Sequence, residues 1–497
     1  MADDQDRLYS ALVRRDGRLD GRFFVGVSST GVYCRPVCRA RRPKLENCVF
    51  FRTAAAAERA GYRPCLACRP ELAPRLAGVR ASATLASRAA VILEESCGIL
   101  EDLKTVAERL GRSERQVRRA FMEEYQATPI QHLQTCRLLL AKSLLTDTSL
   151  SVVEVAMAAG FGSLRRFNDL FKKRYGLVPT ALRRKNASVD RDREALEVTL
   201  SYFPPYRWDQ ILGFLAARAI EGVEKVENEK YFRVVNLQTP DNQWVQGWLS
   251  VGHQPALNAL LVTIGKTLLP VLPLVLARVR HLFDLGQDPE AIFPTLSPLN
   301  ELRPGLFEPG TRLPGSFDAF ETALRAILGQ RITIKGAGGL AARLVAAYGA
   351  PVQTGIPGLT RVFPGPRDIL ALTDDPRSGP LDDRLGPLGV TTIQARAIGS
   401  LARALFQGEI DLSLWADPEM EMLKLQAIAG IGPWTAKYIA MRVLGHPDVF
   451  LETDLGIRKA LAGFGPPKGF SPRELAGLAE AWRPWRSYAT VNLWNSL

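Results

Sequence analysis

The sequence of 497 residues has no cysteine after position 136. It also has no run of about 18 apolar residues, the length that spans a bilayer, because Pro270 and Pro273 interrupt its longest apolar stretch. No basic stretch followed by an apolar core marks a secretion signal. We therefore expect a cytoplasmic protein without a membrane partner. An iron–sulfur cluster held by cysteines is excluded from everything beyond residue 136.

Net charge is also lacking in the second part of the chain. Residues 1–190 hold 33 Lys/Arg and 20 Asp/Glu, and residues 191–497 hold 31 of each, so the whole excess of +13 lies in the first part. A basic segment is the electrostatic mark of a nucleic-acid binder, although solubility alone gives the same composition. A neutral second part that binds DNA must do so by other means than a basic surface.

Length and pattern predict a multidomain α+β protein. Residues 1–75, rich in Cys and Arg, indicate a small loop-rich module, and residues 80–184 have the periodicity of short helices. Residues 196–300 mix strands at 197–203 and 231–238 with a helix over 209–221. Residues 301–497 return to helices, apart from an extra loop near 351–365. The charged stretch at 183–194 is predicted to be a linker.

Four of the seven cysteines form two short-spaced pairs. Cys34 and Cys38 are separated by three residues, and Cys65 and Cys68 by two. Each pair can supply adjacent ligands from one turn, so the two pairs can close a tetrahedral site for one zinc ion. Sulfur ligands alone do not exclude iron. Spacing also leaves open whether the site is purely structural or reactive.

The residues around these pairs resemble the N-terminal domain of the Ada family. The resemblance rests on residues 31–41, GVYCRPVCRAR, and 61–68, GYRPCLAC, and covers residues 1–75. It implies that Cys34 accepts a methyl group from a methylated DNA phosphate, and that the other three cysteines hold zinc with it. Zinc keeps a thiol ionised, and thiolate is the nucleophile. Methylation would remove one negative charge, so that nearby arginines bind DNA more tightly. These arginines are Arg35, Arg39, Arg41 and Arg42.

Residues 104–125 and 152–175 each predict a helix, a glycine-containing turn and a second helix. Two such units can place recognition helices in successive major grooves. Arg and Asn at their starts suit guanine and adenine edges. These candidates are Arg115, Arg118, Arg119, Arg165, Arg166 and Asn168. An all-helical structural domain with solvated arginines is the alternative.

The stretch at 158–179 resembles the AraC-type regulator domain, which Ada-type regulators carry directly after the zinc module. The resemblance implies transcription regulation, with RNA polymerase as a candidate partner. Arginine stands at 165 and 166 in place of the more usual Ser or Tyr, so the target sequence is not inferred.

Residues 425–436, LQAIAGIGPWTA, contain two glycines one residue apart, Gly430 and Gly432. They predict a tight hairpin whose backbone N–H groups hold a DNA phosphate, together with a structural cation. Asp454 follows Gly432 by 22 residues. This pairing resembles the helix-hairpin-helix DNA glycosylase superfamily, which places Asp454 at the catalytic aspartate position. Alone, such an aspartate would be interpreted as a helix cap or a surface charge.

Further matches at 204–218, 317–330 and 485–489 narrow the resemblance to AlkA-type 3-methyladenine glycosylases over residues 196–497. Such an enzyme flips the damaged base out of the duplex. An aromatic pocket then holds the cationic purine, and a carboxylate stabilises the sugar cation. The pocket positions are Trp434, Tyr438 and Trp494, for which packing in the core is the alternative. Trp rather than Lys at 434 predicts a monofunctional hydrolase without lyase activity.

Two departures from these families limit the resemblance. Gln330 matches, but Arg331 and then Ile332 follow where AlkA proteins have a leucine wedge, so either residue could fill the gap left by the base. No Pro-Cys-His-Arg motif is present, so the alkylguanine transferase part of Ada proteins is missing.

Three functional hypotheses remain open. The first is a stoichiometric methyl acceptor joined to a glycosylase. The second is a transcription regulator whose glycosylase-like part binds DNA without catalysis. The third is a DNA-binding module with structural zinc. In each, we expect a monomer on double-stranded DNA.

Overall fold

The computed structural model describes residues 2–75, 84–95, 102–183, 194–239, 241–373, 380–462 and 470–497. The boundary predicted near residue 80 and most of the linker predicted at 183–194 lie outside these ranges. Within them, no helix is both long and apolar enough to cross a bilayer.

The N-terminal module is a small sheet with two helices. Its elements are α1 (Ala2–Arg14), β1 (Phe24–Val27), β2 (Val32–Cys34), β3 (Cys48–Phe51), α2 (Ala54–Arg59) and β4 (Arg63–Pro64). The strand order is β3-β1-β2-β4, with only β2 and β4 parallel. This parallel pair sets Tyr33 beside Pro64. The next residues, Cys34 and Cys65, therefore lie at the same end of the sheet.

The following region is all-helical, as its periodicity predicts. Its helices are α3 (Leu85–Glu95), α4 (Leu103–Arg109), α5 (Glu114–Tyr125), α6 (Pro129–Asp147), α7 (Val152–Ala158), α8 (Leu164–Tyr175) and α9 (Pro179–Arg183). Three of these helices start with a capping box, at Ser113, Thr128 and Ser151. In each box, the side chains of the first and fourth residues accept hydrogen bonds from each other's backbone N–H groups. The helix α6 joins the two helix-turn-helix units.

A five-stranded antiparallel sheet comes next, in the order β5-β9-β8-β7-β6. Its elements are β5 (Ala195–Ser201), α10 (Trp208–Ala216), β6 (Glu224–Glu227), β7 (Lys230–Gln238), β8 (Trp244–Gln254), β9 (Ala259–Gly265) and α11 (Leu272–Leu282). The helix predicted over 209–221 is wrong at its end. It stops at Ala216, after which Arg218 N and Ala219 N donate to carbonyls three residues back. The chain then turns at Gly222, with φ +86°, to enter β6.

The C-terminal part is helical and encloses a large apolar core. Its helices are α12 (Pro289–Leu296), α13 (Leu299–Leu302), α14 (Ala319–Leu328), α15 (Ile334–Tyr348), α16 (Pro366–Thr373), α17 (Leu381–Leu385), α18 (Thr392–Phe406), α19 (Pro418–Ala427), α20 (Pro433–Arg442), α21 (Leu455–Ala460), α22 (Pro472–Leu478) and α23 (Arg486–Asn495). In the loop at 351–365, the N–H groups of Thr360 and Arg361 donate to Gly222 O at 2.8 and 3.0 Å. This loop therefore packs on the sheet domain. Together these parts confirm the predicted fold class.

Candidate DNA-binding and repair sites

The four paired cysteines meet at one point. Their Sγ atoms all lie within 4.8 Å of one another, and three of the four residues are buried. Ionised sulfurs packed this closely repel one another. Four thiolates can therefore share this space only when a cation neutralises them. Four sulfur donors in two turns are a ligand set that zinc prefers.

The arginines beside this cluster differ in exposure. Arg35 forms an ion pair with Asp20, and its backbone N–H donates to Cys68 Sγ at 3.4 Å. A backbone donor of this kind stabilises a charged sulfur. Arg39, Arg41 and Arg42 are exposed. The structure thus holds Arg35 against the module and leaves the other three open to solvent, and DNA contact by all four stays a prediction.

The zinc module docks on α6 through buried polar groups. Lys142 Nζ donates to Glu71 at 2.5 Å, and both side chains are only 2% exposed. Glu58 accepts hydrogen bonds from Tyr33 Oη at 3.1 Å and from Thr135 Oγ1 at 2.8 Å. Burial raises the pKa of Glu58 to about 7. Tyr33 directly precedes the predicted methyl acceptor. Its hydrogen bond to Glu58, which also accepts from Thr135, therefore connects that position to α6, the helix between the two helix-turn-helix units.

The predicted recognition helices, α5 and α8, present arginines to solvent. The exposed side chains are Arg115, Arg118, Arg119, Arg165 and Arg166, whereas Asn168 is half-buried. On α5, Arg118 pairs with Glu114 at 2.9 Å. Arg119 pairs with Glu123 at 2.8 Å. Exposed pairs along one helix contribute little stability, so both guanidinium groups can exchange these partners for DNA.

The helices α19 and α20 form the helix-hairpin-helix unit. The chain turns at Gly430, which has φ +93°, and a Cβ there would lie 3.1 Å from atoms of Ala397 and Ile393. Only glycine suits this position. Gly432 is the N-cap of α20, with φ −84°, and nothing lies within 4 Å of a Cβ placed on it. A phosphate can therefore approach the N-terminus of α20 closely.

Gln330, two residues after the end of α14, holds this hairpin in place. Its Nε2 donates to Gly430 O at 2.8 Å and to Thr435 Oγ1 at 3.0 Å. This nitrogen already donates two hydrogen bonds within the protein. The predicted DNA contact of Gln330 would therefore involve its side-chain oxygen or its backbone.

The loop after Gln330 protrudes. Arg331 is exposed and has φ +59°, and Ile332 is 44% exposed. Ile334, at the start of α15, is 48% exposed and was overlooked as a wedge candidate. The sequence gives one indication of this exposure: Ile334 directly follows Thr333, which caps α15, so it lies in the first turn of that helix.

Asp454 is the N-cap of α21, so the catalytic interpretation and the helix-cap interpretation describe the same residue. Its Oδ1 accepts from Ile457 N at 3.1 Å and from Trp494 Nε1 at 2.9 Å. Its Oδ2 accepts from Trp434 Nε1 at 3.0 Å. Three donors fix the carboxylate, which faces a cleft of about 2300 Å³. The role of both indoles as donors was not predicted.

The three predicted pocket residues lie together along this cleft. The rings of Trp434 and Tyr438 stack, with centroids 5.1 Å apart and planes inclined by 18°. The rings of Tyr438 and Trp494 are 6.3 Å apart. All three residues are half-buried, so they are not pure core residues and can offer aromatic faces to a ligand.

Arginines that the sequence analysis did not single out surround the hydroxyl end of Tyr438. Arg442 Nη1 donates to Tyr438 Oη at 2.6 Å. Burial acts to raise the pKa of Tyr438, but the charges of Arg442, Arg218 and Arg325 outweigh it and lower the pKa. Arg218 lies 3.7 Å from the ring centroid of Phe214. Both residues are in the stretch at 204–218 that carries the resemblance, and this stretch was the available signal.

Family models match three parts of the chain. They are the metal binding domain of Ada over residues 7–71, a helix-turn-helix domain over residues 106–185 and the AlkA N-terminal domain over residues 197–318.

Curated relatives extend these matches. The chain is 36% identical to the probable bifunctional transcriptional activator/DNA repair enzyme AlkA of Mycobacterium tuberculosis, over 100% of this chain and 97% of that protein. It is 36% identical to DNA-3-methyladenine glycosylase 2 of Escherichia coli, over 60% of this chain and 96% of that protein. It is 44% identical to the bifunctional transcriptional activator/DNA repair enzyme Ada of Escherichia coli, over 14% of this chain and 19% of that protein.

Proposed function

The chain belongs to the family of bifunctional transcriptional activator/DNA repair enzymes of the AlkA type, and on this premise we propose that it repairs alkylated DNA and regulates transcription in response to it. Within that function we propose two chemical steps: methyl acceptance at Cys34 and excision of alkylated purines, of the 3-methyladenine kind, at Asp454. The observation that carries the second step is the Asp454 carboxylate, which two indole N–H groups hold at the edge of an aromatic cleft.

The excision step uses the charge of the damaged base. The flipped purine stacks on the aromatic faces of Trp434 and Tyr438. As the bond between base and sugar breaks, its electron pair goes to the cationic base, which leaves neutral. The positive charge moves to the sugar, where Asp454 stabilises it. A water molecule then adds to the sugar carbon and gives a proton to the Asp454 carboxylate. Trp434 offers no amine for a Schiff base, so the step is monofunctional hydrolysis.

In the C-terminal half, main-chain groups of the protein rather than a basic surface would bind the DNA. We propose that the N–H groups of Gly430, Gly432 and Trp434, with a cation bound at the hairpin, hold one phosphate. Arg331 or Ile332 then fills the space that the flipped base leaves. A local site of this kind suits a part of the chain with no net charge.

The methyl-acceptor step is a direct displacement. The Cys34 sulfur attacks the methyl carbon of a methylphosphotriester; the S–C bond forms as the C–O bond breaks, and the DNA phosphate leaves with the electron pair. Zinc bound by the four cysteines keeps the sulfur ionised at neutral pH. The methyl group stays on Cys34, so each chain acts once.

Methylation of Cys34 also changes the electrostatics of the module. Loss of one negative charge strengthens attraction between the DNA backbone and Arg39, Arg41 and Arg42. Helices α5 and α8 then read the promoter, with RNA polymerase as the proposed partner of the bound monomer.

The excision proposal is tested with duplex DNA that contains one 3-methyladenine. We expect the wild type to release the base and Asp454→Asn to be slower by at least about 100-fold. Glu474→Gln, which keeps the surface capping box of α22, is the matched control and should equal the wild type. Equal release by wild type and Asp454→Asn contradicts the role of Asp454. Binding without release by the wild type supports the non-catalytic regulator.

The acceptor proposal is tested by mass spectrometry of the full chain after incubation with methylated DNA. One methyl group should appear on Cys34 and none on Cys48, a thiol outside the cluster. An unmodified Cys34 would contradict the proposal and would support the alternative of a DNA-binding module with structural zinc.

A further inference from the structure

A second group of metal-type ligands lies in the helix-turn-helix region. Glu94, at the end of α3, and His132 and Cys136, on α6, place one ligand atom each within 4.8 Å of one another. His132 and Cys136 are four residues apart, so they lie on the same side of α6. The proposed functions above use none of these three residues.

The distances between the ligand atoms of this group are similar to those around a bound metal ion. His132 Nε2 lies 3.1 Å from Glu94 Oε1 and 3.6 Å from Cys136 Sγ. In a nucleophilic cysteine site, the thiol and the carboxylate engage different ring nitrogens, whereas here both face Nε2. Around a tetrahedral zinc ion, bonds of about 2.0 Å to nitrogen or oxygen and 2.3 Å to sulfur separate these atoms by about 3.3 to 3.6 Å. The observed spacing agrees with that geometry.

The surroundings hold the imidazole in place. His132 packs against the rings of Phe121 and Tyr125, with centroids 5.4 and 5.2 Å away, and both His132 and Cys136 are buried. A cavity of about 40 Å³ borders Glu94 and Cys136. Because the centre of one water molecule needs only about 10–15 Å³ of such space, the cavity has room for a small fourth ligand.

The neighbouring charges indicate what that fourth ligand is. Arg75 Nη1 lies 4.0 Å from Cys136 Sγ and 3.9 Å from Glu94, and Arg280 lines the same cavity. One carboxylate and one thiolate balance a divalent ion, so the site itself is neutral when filled. The two arginines then favour a hydroxide or another small anion over a neutral ligand.

We propose that Glu94, His132 and Cys136 bind a second divalent transition-metal ion, zinc by preference, with a solvent-derived fourth ligand. A mixed sulfur, nitrogen and oxygen ligand set is common at zinc sites. Metal binding would join α3 to α6 and so stabilise the first helix-turn-helix unit. The proposal is independent of both methyl transfer and base excision.

The first test counts zinc in the purified full-length chain. We expect two zinc ions per wild-type chain and one in His132→Ala and in Cys136→Ala. Cys48→Ala, which removes a thiol outside both clusters, is the matched control and should keep two. One zinc in the wild type, or two in both cluster variants, overturns the proposal.

The second test needs no variant and therefore holds even if the substituted chains fail to fold. Cobalt(II) added to the metal-free wild type should fill two classes of site. One has the intense thiolate-to-cobalt absorption of four sulfur ligands, and the other has about a quarter of that intensity per ion, as expected for one sulfur ligand. A single class, saturating at one cobalt per chain, overturns the proposal.

Discussion

Glu58 makes the docking of the zinc module on α6 depend on pH. Its pKa is raised from 4.5 to about 7 by burial, although Thr135 and Tyr33 donate hydrogen bonds to it. Between these values the folded protein keeps a proton that the unfolded chain has released. Stability is therefore fully present below about pH 4.5, falls as the pH rises through 7 and is constant above it. The pKa difference corresponds to about 3 kcal/mol.

Glu58→Gln keeps the size of the side chain and cannot ionise. We expect it to be more stable than the wild type at pH 8, by up to about 3 kcal/mol, and to match the wild type near pH 4.5. Urea unfolding followed by circular dichroism from pH 4.5 to 8.5 measures the difference, which cancels the pH dependence that other groups contribute to both proteins. Glu46→Gln, at an exposed position of the same module, should show no such trend. A difference between Glu58→Gln and wild type that does not change with pH would refute the reasoning.

Three further predictions concern other parts of the chain. Gly430→Ala should lower the free energy of unfolding by about 1–3 kcal/mol and weaken DNA binding, whereas Gly432→Ala, where a Cβ meets nothing, should unfold like the wild type; equal stability of both variants would count against the hairpin geometry. Lys142→Met should cost about 3–5 kcal/mol in urea unfolding because it leaves Glu71 buried without its main partner, and adding Glu71→Leu should recover much of the loss; a single variant as stable as wild type would contradict this. Trp494→Phe keeps an aromatic side chain but removes one donor to the proposed catalytic carboxylate, so base release should slow about 10-fold or more. Unchanged release would show that this donor is dispensable.

Local chemistry explains which elements the sequence could predict. The capping boxes at Ser113 and Ser151 and the two glycines of the hairpin act within a few residues, so their patterns are visible in the chain. The cysteine pairs work similarly, because each pair occupies one turn. The helix end at Ala216 was missed because residues 217–221 contain neither glycine nor proline, so no local signal marks it.

The arrangement around the cleft could be predicted only in part. The resemblance indicated Asp454 and Trp494, and the structure shows them joined by a hydrogen bond. It did not indicate that Arg218, from the sheet domain, shares the electrostatic surroundings of Tyr438. Such a contact joins residues more than 200 positions apart, and no periodicity or spacing reports it.

The packing between the parts of the chain bears on how sensing relates to repair. The apolar core that contains Phe167 and Phe171 of α8 extends to Val262 of the sheet domain. The helix α6 contacts β5, and α7 contacts the segment Lys266–Val271 that follows β9, so the second helix-turn-helix unit and the repair half bury each other's surface. At the other end, Arg22 of the zinc module forms ion pairs with Asp288 and Glu290, both at 2.7 Å.

Because close-packed cores resist gradual deformation, a displacement of the second helix-turn-helix unit on DNA would also disturb the sheet domain that α6 and α7 contact. The same sheet domain supplies Phe214 and Arg218 to the cleft. Any coupling between promoter binding and excision therefore has a direct physical route through shared packing, and it does not depend on the segment that connects the two halves.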